Sequence, residues 1–226
     1  MFERYAIFYT APAGPLADFG ASWLGWNCAT GRAAVEIRDM NGIDVASVTA
    51  VPRKYGLHGT LKAPFRLAEN VHLDDLQEAA TKYAALQSPL VLQGMELRHA
   101  HGFVALRPIA DTADFNAFAG SITRDFDRFR APLTDAEIAR RRRSQLTPRQ
   151  DQQMLDWGYP FIFADFRFHL TLTGPVNVQT GAALITTLKP LLINITPAPF
   201  VIDAFTLMGE DADGMFHQIH RYALTG

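Results

Sequence analysis

The chain has 226 residues, 48% hydrophobic and 19% charged, with 21 Lys and Arg against 23 Asp and Glu. A formal charge of −2 gives no chain-wide field for nucleic acid, so any anion site has to be built locally. One cysteine, Cys28, excludes an intramolecular disulfide and a cysteine-based zinc site, and no apolar run reaches the roughly 18 to 20 residues that span a bilayer.

At the start, "MFERYAIFYTAP" places Glu3 and Arg4 before a short apolar run. It lacks the basic region and long apolar core of a signal peptide, so the expectation is a cytoplasmic protein with no membrane contact. Tyr5 to Thr10 is β-branched and aromatic enough for a strand, and Leu16 to Trp26 carries apolar residues at helical spacing. Cys28 to Val51 is irregular, with a turn signal at "NGID". "GLHGTLKAP" then alternates, placing His58, Thr60 and Lys62 on one face of a strand.

Leu73 to Leu86 reads as a helix with Asp74 and Asp75 in its first turn, where the dipole favours them. "SPLVLQGMEL" and "GFVALRP" read as strands joined at "HAHG". Phe115, Phe118, Ile122, Phe126 and Phe129 mark an amphipathic helix that Asp111 or Thr112 would cap. After a polar helical insert near 132–157, "FRFHLTLTGP" alternates again, with His169, Thr171 and Thr173 on one face. A helix over Thr180 to Leu192, a strand in "PFVIDAFTLMG", a turn at "DADG" and a last strand complete the chain.

That order is a repeat: strand, helix, His-Thr strand, helix, strand and turn occur in both halves, over units of about 4–98 and 102–222. His58, Thr60, Leu61 and Pro64 match His169, Thr171, Leu172 and Pro175. With 7 His and 17 Thr, about half of one His-x-Thr is expected by accident, so the motif alone is weak. Agreement at Leu and Pro, at equivalent points of a repeat, is much stronger. The bland alternative is a structural echo of duplication with inert histidines.

The chemical case for the pair is direct. Hydrolysing a phosphodiester needs a base to take a proton from water and an acid to protonate the departing oxygen, and an imidazole supplies either form near neutral pH. A threonine two residues on projects from the same strand face and can donate to a non-bridging oxygen where charge builds up. Two such units supply acid, base and two phosphate donors without a cofactor or metal.

The paired "HGTLKAPF" and "HLTLTGPV" in a duplicated chain resemble the two-histidine (2H) phosphoesterase superfamily, which includes RNA 2′,3′-cyclic phosphodiesterases and ligase-like 2′-5′ RNA enzymes. "PRKYGLHGTLKAPF", the arginine-rich stretch and "WGYPFIFADFRFHLTLTGP" resemble a bacterial branch of it associated with phosphonate-degradation gene clusters. The resemblance implies a bilobal α+β fold, two antiparallel-rich sheets with outer helices and a central groove. It also implies catalytic roles for His58 and His169, phosphate contacts from Thr60 and Thr171, and a small phosphorylated, sugar-like substrate such as a cyclic ribose phosphate.

Other candidates are weighed against plainer roles. In "TDAEIARRRRSQ", Thr134 and Glu137 form a capping box, so Arg140 to Arg143 close a short helix where positive charge is favoured in any case. The functional alternative has Arg140 and Arg143 reach the groove and hold a second phosphate. Lys62 is a phosphate contact or a surface lysine, and Tyr5 lines the groove or packs in the core. His99 with His101 lacks the carboxylate spacing of a metallohydrolase site, and His217 and His220 point to opposite faces of a strand, a poor start for chelation. The expected function is therefore a metal-independent phosphodiesterase acting on a small, cyclic phosphodiester, with no obligate protein partner. The alternatives are an RNA 2′,3′-cyclic phosphodiesterase or 2′-5′ ligase-like enzyme, and a non-catalytic phospholigand-binding protein.

Overall fold

The computed structural model describes residues 2–110 and 112–226. β1 (Arg4–Thr10) and α1 (Pro15–Leu24) open the chain, followed by two short hairpins, a short helix (Val45–Thr49) and β2 (His58–Phe65). α2 (Leu73–Ala84), β3 (Leu90–Leu92), β4 (Met95–Ala100), β5 (Phe103–Pro108) and α3 (Ala113–Asp125) come next. The insert forms α4 (Asp135–Arg142) and α5 (Pro148–Trp157), and β6 (Leu170–Thr171), α6 (Val178–Leu192), β7 (Phe200–Ile202), β8 (Ala204–Glu210) and β9 (Phe216–Ala223) complete the order.

The principal sheet runs β9-β8-β1-β2-β6-β5-β4, and its registered pairs are antiparallel. Exchanging β1 with β5, β2 with β6 and β8 with β4 reverses the order of these six strands. β3 and β7, equivalent under the same exchange, pair separately with one another. The two antiparallel sheets are thus halves of one array, joined between β2 and β6 by the single pair Leu170↔Gly59. The motif strands lie side by side rather than across a groove from one another. Each half also borrows a strand: β4 pairs with β5, and β8 pairs with β1.

Alternation along β1 sends Tyr5, Ile7 and Tyr9 into the main core, whereas Ala6 and Phe8 join a smaller cluster with Cys28, Met208 and Phe216 on the other face. Trp23, Phe115, Phe126, Phe200 and Phe205 are fully buried, each contributing roughly 1.5–3 kcal/mol of burial. The helices cross between halves. The Trp23 indole on α1 donates to the Leu172 carbonyl at 2.7 Å, and α3 packs on β2. Thr134 and Glu137 form the expected capping box, and Thr147 with Gln150 forms another on α5. Thr112 stands at the start of α3 with no side-chain cap bond, and Asp111 lies outside the described residues. Among the described residues no helix is long and apolar enough to cross a membrane.

Gly59 permits the closure between halves. A Cβ there would lie 2.2 Å from Cε2 of Phe168, a ring only 4% exposed. Gly59→Ala is expected to push β2 and β6 apart and lower the unfolding free energy in urea by about 1–3 kcal/mol, as other overpacked core positions do. A wild-type urea midpoint would remove this account of the junction.

Candidate active site

Pairing Leu170 with Gly59 places both of these residues on one face of the sheet and their neighbours on the other. By continuation of the antiparallel register, His58 lies opposite Thr171 and Thr60 opposite His169. In such a ladder directly opposite residues have Cβ atoms about 4.5–5.5 Å apart and diagonal ones about 7–8 Å, so the two imidazoles occupy the diagonal of a compact quartet. His169 is among the groups that lower the His58 pKa.

Both imidazoles are held the same way. His58 Nδ1 lies 3.0 Å from the Gly56 carbonyl, and His169 Nδ1 lies 2.7 Å from the Arg167 carbonyl, in each case two residues earlier. A carbonyl only accepts, so each Nδ1 carries the proton and each neutral ring keeps a bare Nε2. In His58 that atom accepts from the Thr60 hydroxyl at 3.3 Å. Phe8 and Tyr55 pack on the His58 ring at centroid distances of 4.1 and 5.2 Å. Burial under these rings lowers its pKa to about 4, against the opposing pull of the Gly56 carbonyl. Burial also lowers the His169 pKa, with Arg107 and His101 adding repulsion.

A cleft of about 420 Å³ opens over this face, lined by His58, Thr60, Thr171 and Thr173 together with Phe8 and Tyr55. Arg4, Lys54, Arg140, Arg141 and Tyr159 also reach it. His169, half-buried against Phe103, is not in its lining.

Three sequence expectations are corrected. Lys62 leaves the cleft face because the register steps from Phe8↔Thr60 to Ile7↔Lys62, one residue of β1 against two of β2. That bulge reverses the alternation, so Ala63 and Pro64 line the cleft instead. The Lys62 ammonium, 4% exposed, donates to the Thr123 carbonyl at 3.1 Å and to Asp127 at 3.2 Å. Burial lowers its pKa to about 8, with Asp127 opposing.

Tyr5 belongs to the main core, on the β1 face opposite Arg4 and Phe8. Arg143 is exposed just past α4 and outside the cleft; the arginine beside Arg140 in the lining is Arg141. Alternation from Arg4 to Phe8 was a usable signal for the His58 stack, whereas nothing in the local pattern marked Lys54 or Tyr159. His99 Nε2 contacts the Val176 carbonyl and His217 pairs with Asp211 at 2.6 Å.

The protein-family model described as "Protein of unknown function (DUF1045)" matches residues 60–217. A protein of Janthinobacterium sp. (strain Marseille), named ribose 1,5-bisphosphate phosphokinase PhnN, is 35% identical over 218 residues, covering 93% of this chain and 48% of that protein. The chain spans about half the length of the curated relatives it matches, or somewhat less. Among solved structures, TT0787 of Thermus thermophilus gives a TM-score of 0.46 at 13% identity, covering 99% of this chain and 98% of that one. A structure described as a phosphoesterase gives 0.44 at 16% identity, over the whole of both chains.

The depressed His58 pKa has a measurable consequence for folding. Below about pH 6.5 the unfolded chain protonates this residue while the folded one does not until about pH 4. Stability is therefore expected to fall as pH drops through that window, at up to roughly 1.4 kcal/mol per pH unit from this group. Urea titrations at pH 7, 6, 5 and 4 check it, and a His58→Gln variant should lose that part of the slope. Equal slopes in the two proteins would place the His58 ring in water.

Proposed function

The chain belongs to the DUF1045 family, and we propose that it is a phosphoesterase that hydrolyses a cyclic phosphodiester on a small phosphorylated ligand. The observation that carries the reading is the pair Leu170↔Gly59, which brings the two motifs side by side, with both imidazoles bonded to the carbonyl two residues earlier. The phosphorus sits over the centre of the quartet. When the ligand binds, the Thr60 hydroxyl turns from His58 Nε2 to the phosphate, and the Thr60 and Thr171 hydroxyls donate to its two non-bridging oxygens, which gain charge as water adds.

His58 is the base. Its low pKa keeps Nε2 unprotonated, and that atom takes a proton from the attacking water as the new O–P bond forms. His169, protonated beside the bound anion, gives its Nε2 proton to the ring oxygen as the old P–O bond breaks. The product is a phosphate monoester, and a proton passing from His58 to His169 through solvent restores the starting state. No step calls on a metal.

A cleft of about 420 Å³ suits a sugar phosphate or a mononucleotide, since pockets of this range enclose small ligands. The name of the half-matching relative, a kinase of ribose 1,5-bisphosphate, supports a ribose carrying phosphate as the substrate class, consistent with a place in phosphonate catabolism.

His58→Ala and His169→Ala should each lower turnover of a cyclic ribose phosphate by about 10²–10⁴-fold, and Thr60→Val or Thr171→Val by on the order of 10². EDTA should leave the rate unchanged. For the free enzyme, kcat/KM should peak between the His58 pKa of about 4 and the lowered His169 pKa, so on the acid side of 6.5. Turnover that EDTA abolishes would contradict this mechanism, as would histidine variants of wild-type rate. Binding without turnover would make the protein a phospholigand binder, and a preference for oligoribonucleotides would make it an RNA enzyme.

A further inference from the structure

Four cations line the cleft, with no carboxylate among the described residues of its lining. Glu210, 4% exposed, accounts for two of them: Arg4 grips it through Nε and Nη2, and the Lys54 ammonium lies 3.6 Å away. Arg140 and Arg141 have no such partner. Among the described residues neither takes part in an ion pair, although Arg142, the next residue, meets Asp151 at 2.7 and 2.8 Å, and Arg149 on α5 meets Asp165 at 2.8 Å. Arg142 and Arg149 in the insert are thus paired, whereas Arg140 and Arg141, which face the cleft, share with the exposed Arg143 the lack of an ion pair among the described residues.

Arg141 is the more constrained of the two. Its guanidinium lies over the Tyr159 ring at 5.1 Å from the centroid, and its Nε is buried without a hydrogen-bond partner. A cation stacked on an aromatic face keeps its N–H groups in the guanidinium plane, where they can meet two oxygens of one anion. Leaving that Nε dry and unpaired is costly unless a ligand completes it. α4 itself is held in place, since Arg66 donates to the Pro132 carbonyl and to Glu137, at 2.9 and 3.0 Å.

We propose that Arg140 and Arg141 form a subsite for a terminal phosphate monoester, so that the ligand carries a second phosphate besides the one gripped by the two motifs. This deepens the phosphoesterase reading and rests on it. Near neutral pH a terminal monoester carries about −1.5 to −2, against −1 for a cyclic diester, so two guanidinium groups match the monoester and exceed what the diester needs. The insert thereby selects among cyclic phosphodiesters, favouring those with a phosphate at the far end of a small sugar.

Two measurements test this and separate its failure from that of the reading beneath it. The first compares kcat/KM for adenosine 2′,3′-cyclic phosphate with and without a 5′-phosphate. Wild type should favour the 5′-phosphorylated probe by about 10- to 100-fold, the range of one or two charge-assisted hydrogen bonds. Arg141→Ala and the Arg140→Ala/Arg141→Ala pair should lower that ratio towards 1, and Arg141→Lys should restore part of it. Arg143→Ala, outside the cleft, should keep the wild-type ratio. The second measures ribose 5-phosphate against ribose by calorimetry in wild type, in Arg141→Ala and in Thr60→Val/Thr171→Val.

Binding of ribose 5-phosphate that weakens about 10-fold or more in Arg141→Ala and persists in the threonine pair supports the subsite, even if neither cyclic probe turns over. Three results overturn it: a cyclic-probe ratio near 1 in wild type, no detectable binding of ribose 5-phosphate, or binding that the threonine pair abolishes and Arg141→Ala does not. Turnover with no preference for the 5′-phosphate would remove the subsite and leave the phosphoesterase standing.

Discussion

The close approach of two strands at Gly59 is the constraint on which the rest of the structure depends. Leu170 pairs there with a residue that has no side chain, and Phe168 fills the space a Cβ would need. This contact turns two antiparallel halves into one array. It also places His58, Thr60, His169 and Thr171 on a single face. Any larger residue at Gly59 acts first on packing, and through packing on the spacing of the quartet.

Around that junction the fold repeats itself and then departs from its own symmetry. Each imidazole hangs from the carbonyl two residues earlier, so the two rings share one tautomer. Their surroundings differ. His58 lies beneath Phe8 and Tyr55, whereas His169 stands beside Phe103 and feels the positive charge of Arg107. In the proposed chemistry this difference in burial divides identical groups into base and acid. The insert adds a second asymmetry, because only one side of the cleft receives α4 and its arginines.

Charge is distributed with the same economy. The chain as a whole is nearly neutral, and the exposed Arg98, Arg142 and Arg149 each meet a carboxylate. Lys62 shows how far local geometry outweighs composition, since it sits two residues past the motif threonine and yet serves as an internal tie to α3 and Asp127. Two of the four cations of the cleft, Arg140 and Arg141, are brought over it by an insert with polar sequence and separate capping boxes.

Much was legible in the residues themselves. Period-two alternation marked the motif strands, phenylalanines three and four apart marked α3, Thr134 with Glu137 marked the start of α4, and the repeated His-Thr-Leu-Pro spacing singled out both histidines. Those signals are local or periodic, so they survive without coordinates. The tertiary structure alone decided what depends on register and approach between distant segments. A one-residue bulge turned Lys62 away, strand parity sent Tyr5 into the core, and helix phase chose Arg141 over Arg143. The motif strands came together as neighbours in one sheet because Gly59 leaves room for Phe168. A single-residue step in a ladder, or 100° around a helix, changes which side chain meets the cleft while leaving the sequence pattern almost the same.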